Sequence, residues 1–400
     1  MHTMDPVRIC SDLIKINSDN PPGVTTDVIE YISTILDSLG IATDIIEHAP
    51  GKSNLITRSQ GHPLLFCGHV DVVPALDDGW SHPPYSGTID ESYVWGRGAT
   101  DMKGGCASIL SALASLVDEG IDPQVSLAFV CDEEVGGPHG IHHLLQKELI
   151  LPSDCIVAEP TPATAPCIGQ KGLCRFTMEF TGTPGHSSLY PCVGVSAVME
   201  ALVYLEYIKE LHEREYRVDP SMMDIIDHSE NVLTEVFGIP GLRNVLTKIM
   251  YNPGVITGGE KANIVAQKCL LEVDLRLPWG CDSHELLKEI RSRATRAEVT
   301  PSSLWNPSLT SPDALIVRSV QKQIDHLYGI QSKPIVQWAA SDARELRKRG
   351  FQVVEYGPGD IRTLHAIDER VSHEDLNNAA DIYKGVILSY QDGNQNLGGQ

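Results

Sequence analysis

PLLFCGHVDVVP, residues 63–74, is a short apolar run that ends in a histidine and an aspartate. An apolar run of this length between turn-forming residues reads as a strand buried on both faces, the kind found in the middle of a parallel sheet. Two later segments follow the same plan. VSLAFVC (Val125 to Cys131) runs into Asp132, Glu133 and Glu134, and CIVAEP (Cys155 to Pro160) carries Glu159 near its end. Helical stretches separate them, Gly104 to Val117 and Ile141 to Lys147. An earlier helix, Thr26 to Leu39, sets Ile29, Ile32, Ile35, Leu36 and Leu39 at helical spacing before a terminating Gly40. Buried strands alternating with helices are the rhythm of an α/β domain.

The middle of the chain changes period. RFTMEFTG (Arg175 to Gly182) and KCLLEVDLRL (Lys268 to Leu277) alternate apolar and polar residues, as half-buried antiparallel strands do. They flank a helical stretch at Val195 to Leu211. After Leu315 the buried-strand character returns in IVQW (Ile335 to Trp338) and FQVVEYG (Phe351 to Gly357). The expected architecture is an α/β catalytic domain with a mainly parallel sheet flanked by helices. A smaller α+β lid over residues 174–298 splits it into parts 1–173 and 299–400. Glu213 to Val245 shows no core pattern and reads as a surface elaboration, and Gln391 to Gln400 as a disordered polar tail.

A chain of 400 residues is longer than one core usually serves, which agrees with two unequal domains. No apolar stretch is long enough to span a membrane, and the N-terminus has acidic residues where a signal peptide would have an apolar core, so a cytoplasmic location is expected. The net charge of −22 disfavours nucleic acids and anionic lipid surfaces, which are bound by basic patches. Ten cysteines without a CxxC pair read as reduced, small core residues. Metal ions and small molecules remain as the partners to expect.

The ionisable residues have a pattern. His69 and Asp71, Glu133 and Glu134, and Glu159 each stand at the carboxyl end of an expected parallel strand, the edge at which open α/β sheets bind ligands. Acids so concentrated do not all stay ionised without a cation. Singly, each has a plainer reading: a satisfied histidine, solvated glutamates, or, for Asp101 in WGRGATDMKGG, a helix cap. Together they point to a metal site. HExxH, GxSxG, Walker A and strand-following GxGxxG patterns are all absent, which removes the commonest zincin, serine hydrolase and nucleotide-binding readings.

GHVDVVP, WSHPPY (Trp80 to Tyr85), GRGATDMKGG, DEEVGG, AEPT and GPGDIRTLHAIDE occur in this order. From about Leu13 to Leu376 the chain resembles the dinuclear zinc metallopeptidase and deacylase family that contains succinyl-diaminopimelate desuccinylase, acetylornithine deacetylase, aminoacylase and the glutamate carboxypeptidases. The resemblance implies two zinc ions, with cobalt or manganese as substitutes. His69, Asp101 and Glu159 would hold one, Asp101, Glu134 and His365 the other, and Asp101 would bridge them. Glu133 would be the general base, and Asp71 would orient His69. His186, in TGTPGHSS, matches a lid histidine that supplies an oxyanion donor to an active site, usually the partner subunit's, which implies a homodimer through the lid. Asn263, Arg276, Ser341 and Arg344 match positions that grip a substrate carboxylate, although Arg276 and Arg344 also read as surface charges.

The implied reaction is removal of an acyl group from an N-acyl amino acid of the N-succinyl-diaminopimelate or N-acetylornithine type. A carboxypeptidase or dipeptidase of the same family is the alternative, followed by a non-catalytic metal-binding paralogue. Glu159, where peptidase relatives tend to have Asp, resembles the deacylase and carboxypeptidase branches. Ser196 departs from the lid's usual GxNA pattern.

Overall fold

The computed structural model describes residues 4–76 and 78–397. Its larger sheet runs in the order Thr43–Ala49, Lys52–Thr57, Ser126–Val130, Leu64–His69, Asp154–Val157, Gln352–Glu355, Cys167–Gln170, Ser308–Leu309, with Ile335–Gln337 also paired to Cys167–Gln170. The centre is parallel: Leu64–His69 pairs with Ser126–Val130 on one side and Asp154–Val157 on the other, and Gln352–Glu355 continues the same direction. Antiparallel strands lie to either side. Residues Leu64 to His69 are all buried, as a strand covered on both faces requires. The helices Lys103–Asp118 and Leu315–Tyr328 pack against these strands, and His373–Leu397 packs on both helices.

Local chemistry accounts for the helix starts. Asp5 caps Pro6–Lys15 by accepting from Val7 N at 3.0 Å, and Pro6 occupies the first turn, where its missing N–H costs nothing. Ser196, at the position where the family pattern has Asn, caps Ala197–His212 by accepting from Met199 N. Serine and asparagine serve that cap about equally well.

A second sheet is antiparallel throughout, in the order Met250–Gly258, Lys268–Leu277, Gly172–Thr181, Ala297–Trp305. Phe176, Met178, Leu271 and Val273 point inward beneath the helices Ala197–His212 and Ser283–Arg293, and these residues form a core of their own. The alternation read at Arg175 to Gly182 and Lys268 to Leu277 is the pleat of this sheet.

Two expectations need correction. Residues 213–245 are not a surface elaboration: they form Pro220–Phe237 and the start of Leu242–Thr247, with Met222, Ile226, Leu233 and Leu242 buried, as is Leu246 just beyond them. Met222, Ile226 and Leu246 join the core of the large sheet, and Leu233 and Leu242 pack with Ala165, Cys167 and Ile335. Ser229 Oγ accepts from Val336 N at 2.9 Å, fastening the helix to the Ile335–Gln337 strand. Each large apolar side chain buried there contributes roughly 1.5–3 kcal/mol. The pattern was hard to read because this helix fully buries only a narrow stripe that includes the polar Ser229, while other apolar residues, Ile225, Val232 and Phe237 among them, are only partly buried. The tail also differs, since the last helix extends to Leu397; residues 398–400 lie outside the described residues.

Candidate metal centre

Three parallel strands deliver the centre. His69 ends Leu64–His69, the Glu133–Val135 turn follows Ser126–Val130, and Glu159 lies two residues past Asp154–Val157. Two glycines let these parts close up. A Cβ at Gly105, in the helix Lys103–Asp118, or at Gly357 would come within 2.2 Å of Ala158 O, next to Glu159. Only glycine permits that approach.

Asp101 does not cap the helix that follows it: that helix begins without a side-chain cap, and the carboxylate faces two imidazoles. His69 Nε2 is 2.9 Å from Asp101 Oδ1, and His365 Nε2 is 3.1 Å from Asp101 Oδ2. Glu159 Oε1 lies 3.7 Å from His69 Nε2, and Glu134 Oε2 lies 3.4 Å from His365 Nε2. One carboxylate thus spans two histidines, each with a second acid beside it. His365 is presented from a left-handed backbone at φ 58, a conformation that costs a non-glycine residue roughly 1 kcal/mol or more.

The support around these groups is dense. The fully buried Asp71 carboxylate accepts from Glu133 N at 3.1 Å, Glu134 N at 3.2 Å and Asn20 Nδ2 at 2.8 Å. It reaches His69 less directly than expected: His69 Nδ1 is 2.9 Å from the backbone oxygen of Asp71 and 3.6 Å from its carboxylate. Asp71 therefore fixes the turn carrying Glu133 and Glu134 with its side chain, and the imidazole with its main chain. Glu369, also fully buried, accepts from the backbone N–H groups of Gly98, Thr100 and Asp101 and pairs with Arg97 at 2.5 Å. Arg97 in turn donates to the backbone oxygens of His365 and Ala366. The Arg97–Glu369 pair ties the Asp101 loop to the His365 loop.

Sequence reasoning missed Arg97, Glu369 and Asp342. The first two lie inside motifs already singled out, GRGATDMKGG and LHAIDE, and a charged pair flanking proposed ligands was the available signal.

The electrostatics ask for positive charge. Burial pushes the Glu159 carboxyl well above the usual range, and Asp101 adds to it against the pull of His69. Burial likewise raises Glu133 strongly, with Asp342, Glu134 and Asp101 adding to it against His69. Asp342 is pushed up to about 7, by burial first. Burial works against the charge on Asp101 too, but hydrogen bonds from His365 and His69 outweigh it and hold that carboxyl low. Hydrogen bonds to Asp101 and Glu134 raise His365 to about 10. Glu134 Oε1 is buried without a hydrogen-bond partner. Carboxylates crowded around two imidazoles, with one oxygen left over, form an oxygen-and-nitrogen donor set suited to divalent metal ions. Among the described residues, His69, Asp101 and Glu134 are the trio whose ligand atoms lie within 4.8 Å of one another. Glu159 and His365 adjoin it.

His186, Asn263, Arg276, Ser341 and Arg344 make, among the described residues, no hydrogen bond or ion pair to the five candidate ligands. Among the described residues, no hydrogen bond or ion pair of the five candidate ligands reaches the second sheet or its loops. His186 is exposed, its Nδ1 2.7 Å from Ser188 Oγ, and its strand-like bridge to Ile264 puts it beside the equally exposed Asn263. Arg276 is half-buried and bonded to Asp274 at 2.8 Å. Arg344 lies 4.3 Å over the Trp305 ring. Ser341 is buried and committed: it donates to Glu355 Oε1 at 2.9 Å, and Gln170 Nε2 donates to it at 2.8 Å.

The model of peptidase family M20/M25/M40 matches residues 65–389. The chain belongs to this family. It is a family M20 hydrolase on a mixed α/β frame. It is 28% identical over 410 residues to succinyl-diaminopimelate desuccinylase of Helicobacter hepaticus, covering 94% of this chain and 95% of that one. It is also 28% identical over 371 residues to acetylornithine deacetylase of Vibrio campbellii, covering 91% of each. Among solved structures, an M20 family metallo-carboxypeptidase from Sulfolobus solfataricus superposes with a TM-score of 0.78 at 19% identity, over 96% of this chain and 99% of that one, a likeness of fold. No helix among the described residues is long and apolar enough to cross a membrane.

Proposed function

We propose that this M20 hydrolase removes the acyl group from an N-acyl amino acid of the N-succinyl-diaminopimelate or N-acetylornithine type. The observation that carries the reading is Asp101 spanning His69 and His365, with Glu159 and Glu134 beside them and Glu133 adjacent. His69, Asp101 and Glu159 would hold one metal ion, and Asp101, Glu134 and His365 the other. Zinc suits the donors, and cobalt or manganese could replace it. When bound, such a pair acts as a Lewis acid and brings the pKa of water down toward neutrality.

The protein's own groups do the rest. Glu133 is the proton acceptor: it follows a buried strand, precedes a ligand, and its backbone is held by Asp71. It takes a proton from the attacking water and returns it to the departing amine. His186 would donate to the developing oxyanion. Because its bonds in this chain are local, we assign it to the active site of a second copy in a homodimer. The same reading keeps a lid at 174–298 between catalytic parts 1–173 and 299–400, with the 220–247 helices packed on the catalytic side. Asn263, Arg276 and Arg344 would grip the substrate carboxylate, and Ser341 would act through Glu355. The relatives' names, a desuccinylase and a deacetylase, support a deacylase acting on a small acyl amino acid, and the same reading keeps the protein in the cytoplasm.

The test is amine release by zinc-loaded protein from N-succinyl-diaminopimelate, N-acetylornithine, other N-acyl amino acids and dipeptides, beside a chelator-treated control. Chelator-sensitive hydrolysis of one acyl amino acid is expected. Cleavage confined to dipeptides would replace this reading with the peptidase one.

A further inference from the structure

Away from the metal centre, three histidines from three elements meet near the surface. His48 lies in the strand Thr43–Ala49, His139 in the loop after the Glu133–Val135 turn, and His143 in the helix Ile141–Gln146. His48 Nδ1 and His139 Nδ1 are 3.1 Å apart, and the His48 and His143 rings stack at 3.8 Å with their planes 15° from parallel.

The position of His139 is built. Its N–H donates to Asp132 Oδ2 at 3.3 Å, and its carbonyl accepts from Asn54 Nδ2 at 3.0 Å. The next residue, Gly140, runs so close to Cys131 that a Cβ would fall 1.9 Å from the Cys131 oxygen. Two ring nitrogens facing each other share one proton at most. A metal ion satisfies both. Zinc–nitrogen bonds of about 2.0–2.1 Å at a tetrahedral angle hold two nitrogens about 3.3 Å apart, close to the spacing found here.

We propose that His48, His139 and His143 form a separate site for a divalent transition metal of the zinc, copper and nickel class. His48 and His139 supply the placed pair, His143 completes the site, and water takes the remaining position. His143 must turn off the stack to do so, since the three rings do not bring one nitrogen each within 4.8 Å in their present orientation. The exposure of His48 and the half-burial of His143 leave room for that rotation. Burial and the neighbouring His48, Lys147 and His139 lower the basicity of His143, which keeps it in the neutral form that ligates metal. Imidazoles without a carboxylate among them select against magnesium and calcium.

Equilibrium dialysis against micromolar free zinc tests the site. The double variant His48→Ala, His143→Ala should bind one equivalent fewer than the wild-type chain, with turnover unchanged. The comparison does not depend on how many ions the main centre holds. A control variant, His284→Ala, should match the wild type. Equal zinc content in the wild type and the double variant would overturn the proposal, as would loss of the same equivalent in the control.

Discussion

At the edge of the large sheet, Asp71 and Glu369 are each fully buried and hold two or three backbone N–H groups, and every candidate ligand has a charged neighbour within 4 Å. Beside the second sheet, His186 is exposed and, among the described residues, its side-chain hydrogen bonds go only to Ser188, two residues away. The first region is fixed by the chain's own fold before any ligand arrives. The second has little of its own to hold it, so whatever function it serves depends on what it meets. Substitutions of the buried struts in the first should therefore change chemistry and stability together, and substitution of the exposed His186 in the second chemistry alone.

The sharpest test of the fixed region is Glu133→Gln. It removes the proton acceptor while leaving the candidate ligands and the Asp71 bonds to the backbone in place. Turnover should fall by about 10³-fold, within the range for lost general base catalysis, with metal content by atomic absorption unchanged. Normal turnover would end the proposed mechanism.

Glu369→Ala should come next. It strands Arg97 in the interior and leaves three backbone N–H groups without their acceptor, changes that cost about 3–5 kcal/mol for a buried pair. Denaturant unfolding should show that loss, and metal affinity should fall about 10- to 100-fold because Asp101 and His365 lose their common strap. An unaffected midpoint would mean that the strap is not structural.

His186→Ala should reverse that balance. The loss of an oxyanion donor costs about 10²-fold in turnover, while an exposed side chain contributes little to folding, so the thermal midpoint should stay put. Mixing this variant with Glu133→Gln should restore part of the activity if the histidine acts across a dimer. No restoration in a demonstrated mixed dimer would confine His186 to its own chain.

The same contrast governs what could be read from the sequence. Strand ends such as HV at 69–70 and AEP at 158–160 were legible because a strand buried on both faces must be apolar, so the first charge after it stands out. Asp101 was legible through its glycine-rich surroundings, though not its choice between helix cap and bridging carboxylate, which depends on His365 arriving from 264 residues away. Arg97 and Glu369 were harder, because a long-range pair leaves no periodic trace in either segment. The Pro220–Phe237 helix was missed for a related reason: its buried stripe answers to a strand far along the chain, Ile335–Gln337, and Ser229, polar in the sequence, is one of its anchoring residues.

The smallest effect expected lies beside the second sheet. Arg214 and Glu289 form a two-pronged pair at 2.7 and 2.6 Å, each about one-third exposed. Hydrogen bonding from Arg214 lowers the Glu289 carboxyl from its ordinary value to about 2. A depressed carboxyl contributes stability that is fully present above its unfolded value, near 4.5, and is lost as pH falls through about 2. Solvent screening keeps the contribution to about 1 kcal/mol or less. Glu289→Gln should therefore lower the thermal midpoint slightly and equally between pH 7.5 and pH 5. Below about pH 4.5 the gap to the wild-type chain should narrow, because the unfolded wild-type chain then takes up a proton at Glu289 that the folded one does not. A gap that widens on acidification would show that the pair does not form, and the two helices would then be joined by apolar packing and the hydrogen bond from the Tyr204 hydroxyl to Ile290 O.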